Sequence, residues 1–126
     1  MLPVERVIGE EGLAASPDGA RLAMRLPWYR SLPFSTVEID SLAIDGVPVD
    51  LANGIIEYDG QTWPLAEIGE KTDSFWFVRD SVFLVLPRVS IDTGTEHTVA
   101  LTINVSPPYI PGMKRSNPQL ATLTAH

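Results

Sequence analysis

Cysteine is absent from this 126-residue chain, and lysine and histidine occur only twice each. Without thiols there is no disulfide framework, no thiolate metal site and no cysteine nucleophile. With Lys71 and Lys114 as the lysines and a net charge of −7, the chain lacks the basic patch that nucleic acid or an anionic membrane surface requires. No apolar run approaches membrane-spanning length. The stretch MLPVERVIGEEG puts charges where a signal peptide carries its apolar region. The expectation is a soluble, cytoplasmic protein of one domain, residues 1–126, long enough to bury a core without staples.

Catalytic signatures are equally scarce. The nucleophile elbow GxSxG, the zinc motif HExxH, the calcium loop DxDxDG and the phosphate loops GxGxxG and GxxxxGK do not occur. Of the two histidines, His126 is expected to be mobile, and His97 opens an apolar strand face as a structural histidine rather than a ligand or base. Glu38 and Asp40 share one face of a strand, but it is the polar face opposite Val37 and Ile39, so they read as a solvated pair. The residues offer no catalytic apparatus, no metal ligands and no cofactor site in this chain.

Turn formers, by contrast, are abundant: eleven prolines and nine glycines interrupt short β-branched runs, and no helical period is sustained. This is an all-β pattern, a two-sheet antiparallel β-sandwich or jelly-roll-like domain of about eight strands. HTVALTINV alternates His97, Val99, Leu101, Ile103 and Val105 against Thr98, Ala100, Thr102 and Asn104, one face for a core and one that tolerates water. Asp45-Gly46 and Asp59-Gly60 mark tight hairpins, because both positions of such a turn take positive φ. TVEIDSLAI changes phase midway, which a β-bulge near Asp40-Ser41 repairs. FWFVRDSVFLVLP is apolar on both faces from Val82 to Leu86 and is expected to be covered on both sides. Residues 1–19 mix charge and glycine with a Ser16-Pro17-Asp18-Gly19 turn. Residues 106–126 begin with SPPYIPGMKRSNP and are expected to run as an extended proline-rich arm, packed on a partner or disordered.

The stretch RLPWYRSLPFS stands out. Pro27 and Pro33 drive Leu26 and Leu32 towards extended geometry and donate no hydrogen bond, which places the segment at a sheet edge or between sheets. If it is extended, Trp28 and Arg30 point one way and Tyr29 the other. Trp, Tyr and Arg are the residue types enriched at interface hot spots; core packing and ligand stacking are the competing uses. Tyr109 and Ile110, in PPYIP, repeat the proline-framed theme.

In order, LPWYRSLPFS, VEIDSLAIDGVPVD, FWFVRD with VFLVLP, GTEHTVALTI and PPYIPGM resemble the small β subunit of the bacterial C-glycoside deglycosidases. The resemblance covers about residues 10–113. It implies a β-sandwich subunit bound to a larger TIM-barrel α subunit, which carries a divalent metal (generally manganese) and a histidine base. The complex is expected to cleave the carbon–carbon bond between sugar and aglycone in 3-oxo-C-glycosides of flavonoid or anthraquinone type. Such a substrate has no glycosidic oxygen to protonate between paired carboxylates, so the route implied is elimination next to the 3-keto group. This chain would be the accessory subunit of a carbon–carbon lyase, inactive alone. Trp28, Tyr29 and Arg30 are expected to meet the α subunit, with Tyr109 and Ile110 as further contacts. The alternatives are a stand-alone lectin-like module stacking sugar on Trp28 and Tyr29, a structural protein unconnected with sugars, and a stand-alone enzyme.

Overall fold

The computed structural model describes residues 6–16 and 19–126. The central Pro17-Asp18 of the first expected turn lie outside the described residues, although Ser16 and Gly19 on either side pair with each other. The strands are β1 (Ile8–Ser16), β2 (Gly19–Arg25), β3 (Leu32–Pro33), β4 (Val37–Ile44), β5 (Val47–Pro48), β6 (Ile55–Tyr58), β7 (Gln61–Pro64), β8 (Phe75–Trp76), β9 (Ser81–Leu86), β10 (Glu96–Val105) and β11 (Arg115–Thr124). Two short 3-10 turns, Phe34–Thr36 and Leu65–Glu70, follow prolines.

All the strand pairs are antiparallel. One sheet has the order β1-β2-β9-β6-β7, the second β11-β10-β4-β5, and β3 pairs with β8 in a small two-stranded sheet. The inward residues of the two large sheets form one core, to which β10 gives Val99, Leu101, Ile103 and Val105 and β9 gives Val82, Leu84 and Leu86. This is the expected β-sandwich.

Local features follow from the residues. Asp45, Gly46, Asp59 and Gly60 all have positive φ, so both Asp-Gly pairs form the predicted two-residue hairpin turns. On β4, Ser41 sits opposite Thr102 and Ile39 opposite Ile103, leaving Asp40 as the extra residue of the predicted bulge. Gly19 has φ +133°, and a Cβ there would lie 2.1 Å from the Leu86 carbonyl oxygen, so the β1–β2 turn admits no side chain at this point.

Two expectations need correction. Residues 115–124 are not an arm: β11 pairs with β10 along its whole length, Glu96 to Val105. Pro118 is compatible with this because β11 is an edge strand, where a sheet tolerates proline. His126 is pinned, its N–H donating to Leu13 O at 3.1 Å and its carbonyl oxygen accepting from Ala15 N at 2.9 Å. With Gln119 Oε1 accepting from both Val7 N and Ile8 N, these bonds tie the β11 side of the sandwich to β1. The outer face of β9 receives partial cover from the described residues of this chain. Phe83 and Val85 are half-buried, and Phe83 is covered by the Arg21 guanidinium at 3.6 Å from the ring centroid. Arg21 is held in turn by Glu57.

Candidate partner interface

The segment between Leu26 and Leu32 is anchored at both ends, since both leucines are buried in the core. Between them the chain bends at residues 27–30 rather than running as a strand, so strict alternation fails. Trp28 turns inward and is 6% exposed, whereas Tyr29, at 61%, and Arg30 face out. Of the expected contact trio, Trp28 is therefore a core residue. Of the two residues that a lectin-like reading would use for stacking, its burial withdraws Trp28 and leaves Tyr29 exposed.

The proline-rich turn after β10 comes to the same place. Ser106 N donates to Thr36 O at 2.9 Å, Ile110 N to Pro107 O at 3.1 Å and Met113 N to Ile110 O at 3.2 Å, which folds residues 107–113 into two consecutive turns. Tyr109 and Ile110 project from them, 45% and 37% exposed. Trp28 Nε1 donates to Tyr109 Oη at 2.6 Å. The phenol oxygens of Tyr109 and Tyr29 are 3.4 Å apart, the Trp28 and Tyr29 rings 5.0 Å, and the Arg30 guanidinium stands 5.1 Å from the Tyr109 ring centroid. The structure thus joins all five expected residues, with Trp28 as the buried post and the other four as the exposed face.

The two phenols are unequal. Partial burial pushes the Tyr109 phenol up, but hydrogen bonds to Tyr29 and Trp28 and the nearby charge of Arg30 outweigh it and hold the group below the usual phenol range. The Tyr29 phenol moves the other way, raised first by its hydrogen bond with Tyr109.

Two residues of this region were not singled out from the sequence. Phe75 and Phe77 are 45% and 59% exposed, on either side of the buried Trp76. Pairing of Leu32 with Trp76 and of Pro33 with Phe75, together with the bond from Val78 N to Ser31 Oγ at 2.9 Å, lays this segment beside the 26–33 strap. The alternation Phe-Trp-Phe was the available signal: one aromatic in, two out.

Elsewhere several polar side chains pair with one another. The His97 imidazole donates from Nδ1 to the Asp45 carboxylate at 2.6 Å, and its Nε2 lies 2.7 Å from Thr95 Oγ1. Glu38 accepts from Asn104 Nδ2 at 2.7 Å and faces Lys114 at 3.2 Å, while Asp40 is exposed. A polar cleft of about 690 Å³ includes Glu11, Tyr58, Asp80 and Ser81. There the Tyr58 phenol is pushed up to about 12, by burial first and then by its bond with Asp80, and Ser81 Oγ donates to Glu11 at 2.6 Å. Among the described residues, no three His, Asp or Glu side chains converge on a metal-sized site. No described helix is long and apolar enough to cross a membrane.

A family model described as C-glycoside deglycosidase beta subunit matches residues 6–109. The chain belongs to that family. It is 40% identical over 107 residues to a 3'-dehydrocarminate deglycosidase beta subunit of Microbacterium sp, a match that covers 85% of this chain and 80% of that protein. A C-glycoside deglycosidase beta subunit of Arthrobacter globiformis is 34% identical over 90 residues, covering 71% and 68%. One of Microbacterium trichothecenolyticum is 32% identical over 110 residues, covering 87% and 82%. The matched span includes the whole strap and ends at Tyr109, so Tyr29, Arg30 and Tyr109 of the exposed face lie within it.

Proposed function

We propose that this chain is the non-catalytic β subunit of a hetero-oligomeric C-glycoside deglycosidase, and that it binds the larger subunit through the face formed by Tyr29, Arg30, Tyr109 and Ile110. The observation that carries the docking assignment is the construction of that face. Two exposed tyrosines and an arginine are held in fixed mutual geometry by a buried tryptophan whose one donor is spent on Tyr109. Rigid aromatic anchors with a polar tip lose little entropy on binding, which is why such residues dominate interface energetics. Phe75 and Phe77 extend the apolar area beside it.

In this reading the larger subunit is a TIM barrel that carries the divalent metal and the base for eliminating the aglycone from a 3-oxo-C-glycoside. The described residues of this chain do not fit the role of metal holder, since no three of their carboxylates and imidazoles are grouped as a metal site requires. The β subunit contributes binding surface, not reacting groups.

The test is to tag the chain in its source cells, identify what co-purifies, and assay the material for metal and for cleavage of a 3-oxo-C-glucoside. A larger metal-bearing partner with cleavage activity is the expected result. A chain recovered alone, with no cleaving activity in any partner, would overturn the proposal.

A further inference from the structure

A pocket of about 330 Å³ at one end of the sandwich takes no part in the Tyr29–Tyr109 face. Its floor is the core itself, through the buried Ile44 and Leu86. One wall is Val47, Pro48 and Val49, from β5 and the residue after it in the second sheet. The other is Pro87 and Val89, which follow β9 of the first sheet. Backbone bonds fix both: Val49 N donates to Leu42 O at 2.8 Å and Val89 N to Leu86 O at 3.2 Å. The cavity is therefore built by the fold and pre-formed, as small-molecule sites usually are.

Three properties select the ligand. The first is the nature of the walls, which are hydrocarbon. A free sugar would bring hydroxyls that find no partner there, so the body of the ligand is apolar. The second is shape and size. With one wall from each of two stacked sheets, about 10 Å apart backbone to backbone, the space between the side chains is a slot, and a flat ring meets both walls with its faces. A cavity of about 150 Å³ takes benzene, so this one has room for a molecule of about two or three fused rings. The third is the mouth, where the exposed Asp50, Asn53 and Arg88 stand. Asp50 Oδ1 accepts from Ala52 N at 2.9 Å, which orients the carboxylate. The Arg88 guanidinium makes no hydrogen bond or ion pair with another described residue. The mouth thus offers an acceptor, a donor and an amide that is both. A carboxylate on the ligand would suit Arg88 and be repelled by Asp50, whereas a ring hydroxyl donates to one and accepts from the other.

We propose that this pocket binds a flat aromatic molecule of fused rings bearing ring hydroxyls, with the rings between Val49 and Val89 and the hydroxyls at Asp50 and Arg88. The binding stands on the pocket alone; identifying the ligand with the aromatic aglycone handled by the complex rests on the function proposed above.

The test is an amide NMR titration of the isolated full chain with a dihydroxynaphthalene. Saturable shifts are expected at Val49, Gly54 and Val89, with a Kd of about 100 µM or tighter, within reach of so small a ligand. The corresponding decalin diol, equal in size and hydroxyls but not flat, is expected to bind at least about tenfold more weakly. Val89→Trp, checked for folding by circular dichroism, fills the slot and should weaken the dihydroxynaphthalene at least about tenfold. Arg88→Ala, at an exposed position, should weaken it about fivefold and leave the binding of unsubstituted naphthalene unchanged. No saturable shift at about twenty times the expected Kd would overturn the proposal, as would a folded Val89→Trp chain that binds like wild type or a decalin diol that binds as tightly. If the pocket takes no probe but Val89→Trp abolishes association with the larger subunit, a side chain of that subunit is the occupant and the small-ligand assignment is wrong. Failure of probe binding leaves the co-purification result untouched, so this proposal and the subunit role fail separately.

Discussion

The carboxylate of Asp45 accepts from the His97 ring and from Thr98 N, while its own N–H donates to Thr98 O, so one turn residue fastens the β4–β5 hairpin to β10. The His97 bond, then the Thr98 N–H, hold the Asp45 carboxyl below the usual carboxylate range. A folded-state pKa below the unfolded one contributes stability above the unfolded value of about 4 and loses it as pH falls through the folded value. Asp45→Asn keeps the tolerance of positive φ and should therefore melt below wild type at pH 7, with the gap closing below about pH 4. Equal melting temperatures at neutral pH would show that the staple contributes nothing. Trp28→Ala empties a core position and should cost about 3–5 kcal/mol in denaturant unfolding, whereas Tyr29→Ala should stay within about 0.5 kcal/mol of wild type. If the two variants were equally stable, Trp28 would not be the buried post of the Tyr29–Tyr109 face. The residue types at this site were legible in the sequence, but the inward turn of Trp28 was not, because alternation applies only to extended chain and residues 27–30 bend.

Among the elements, the hairpins were the most legible. An Asp-Gly pair between alternating runs admits few other conformations, and both turns formed where the residues put them. Gly60 has φ +76° with open space around its Cβ position, while Gly69 has equally open space and no positive φ. Gly60→Ala should thus cost about 1–2 kcal/mol through backbone strain alone, and Gly69→Ala should be neutral or stabilising by up to about 1 kcal/mol. Chemical denaturation of the pair separates the two cases, and equal losses would contradict the turn assignment. The last strand was the least legible element, because Pro107, Pro108, Pro111 and Pro118 read as breakers. The first three do serve the turns at 107–113, but Pro118 lies in an edge strand, a position that composition cannot distinguish. Proline recurs on the outer strands, with Pro48 on β5, Pro64 on β7 and Pro118 on β11, and β1 carries a register shift between Ile8 and Leu13. Edges blunted in this way resist strand addition, which is consistent with the proposed docking by side chains rather than by extending a sheet.

At the scale of the molecule, family membership and the folded face converge on one account. A −7 sandwich with blunted edges presents an ordered Tyr–Arg–Tyr surface. The fold class followed from the spacing of turn residues, and the subunit role from the resemblance. The members of the exposed face were named from the sequence, but their assembly into one surface was not, because it joins segments some eighty residues apart. The measurement that tests the central claim most directly is the affinity of the purified larger subunit for this chain, wild type against Tyr29→Ala/Tyr109→Ala, with circular dichroism of both to show equal folding. The account predicts that the double variant binds at least about a hundredfold more weakly, as two hot-spot losses of about 2 kcal/mol each would give at a minimum. Unchanged affinity in a folded double variant would contradict it and move the docking surface elsewhere on the sandwich.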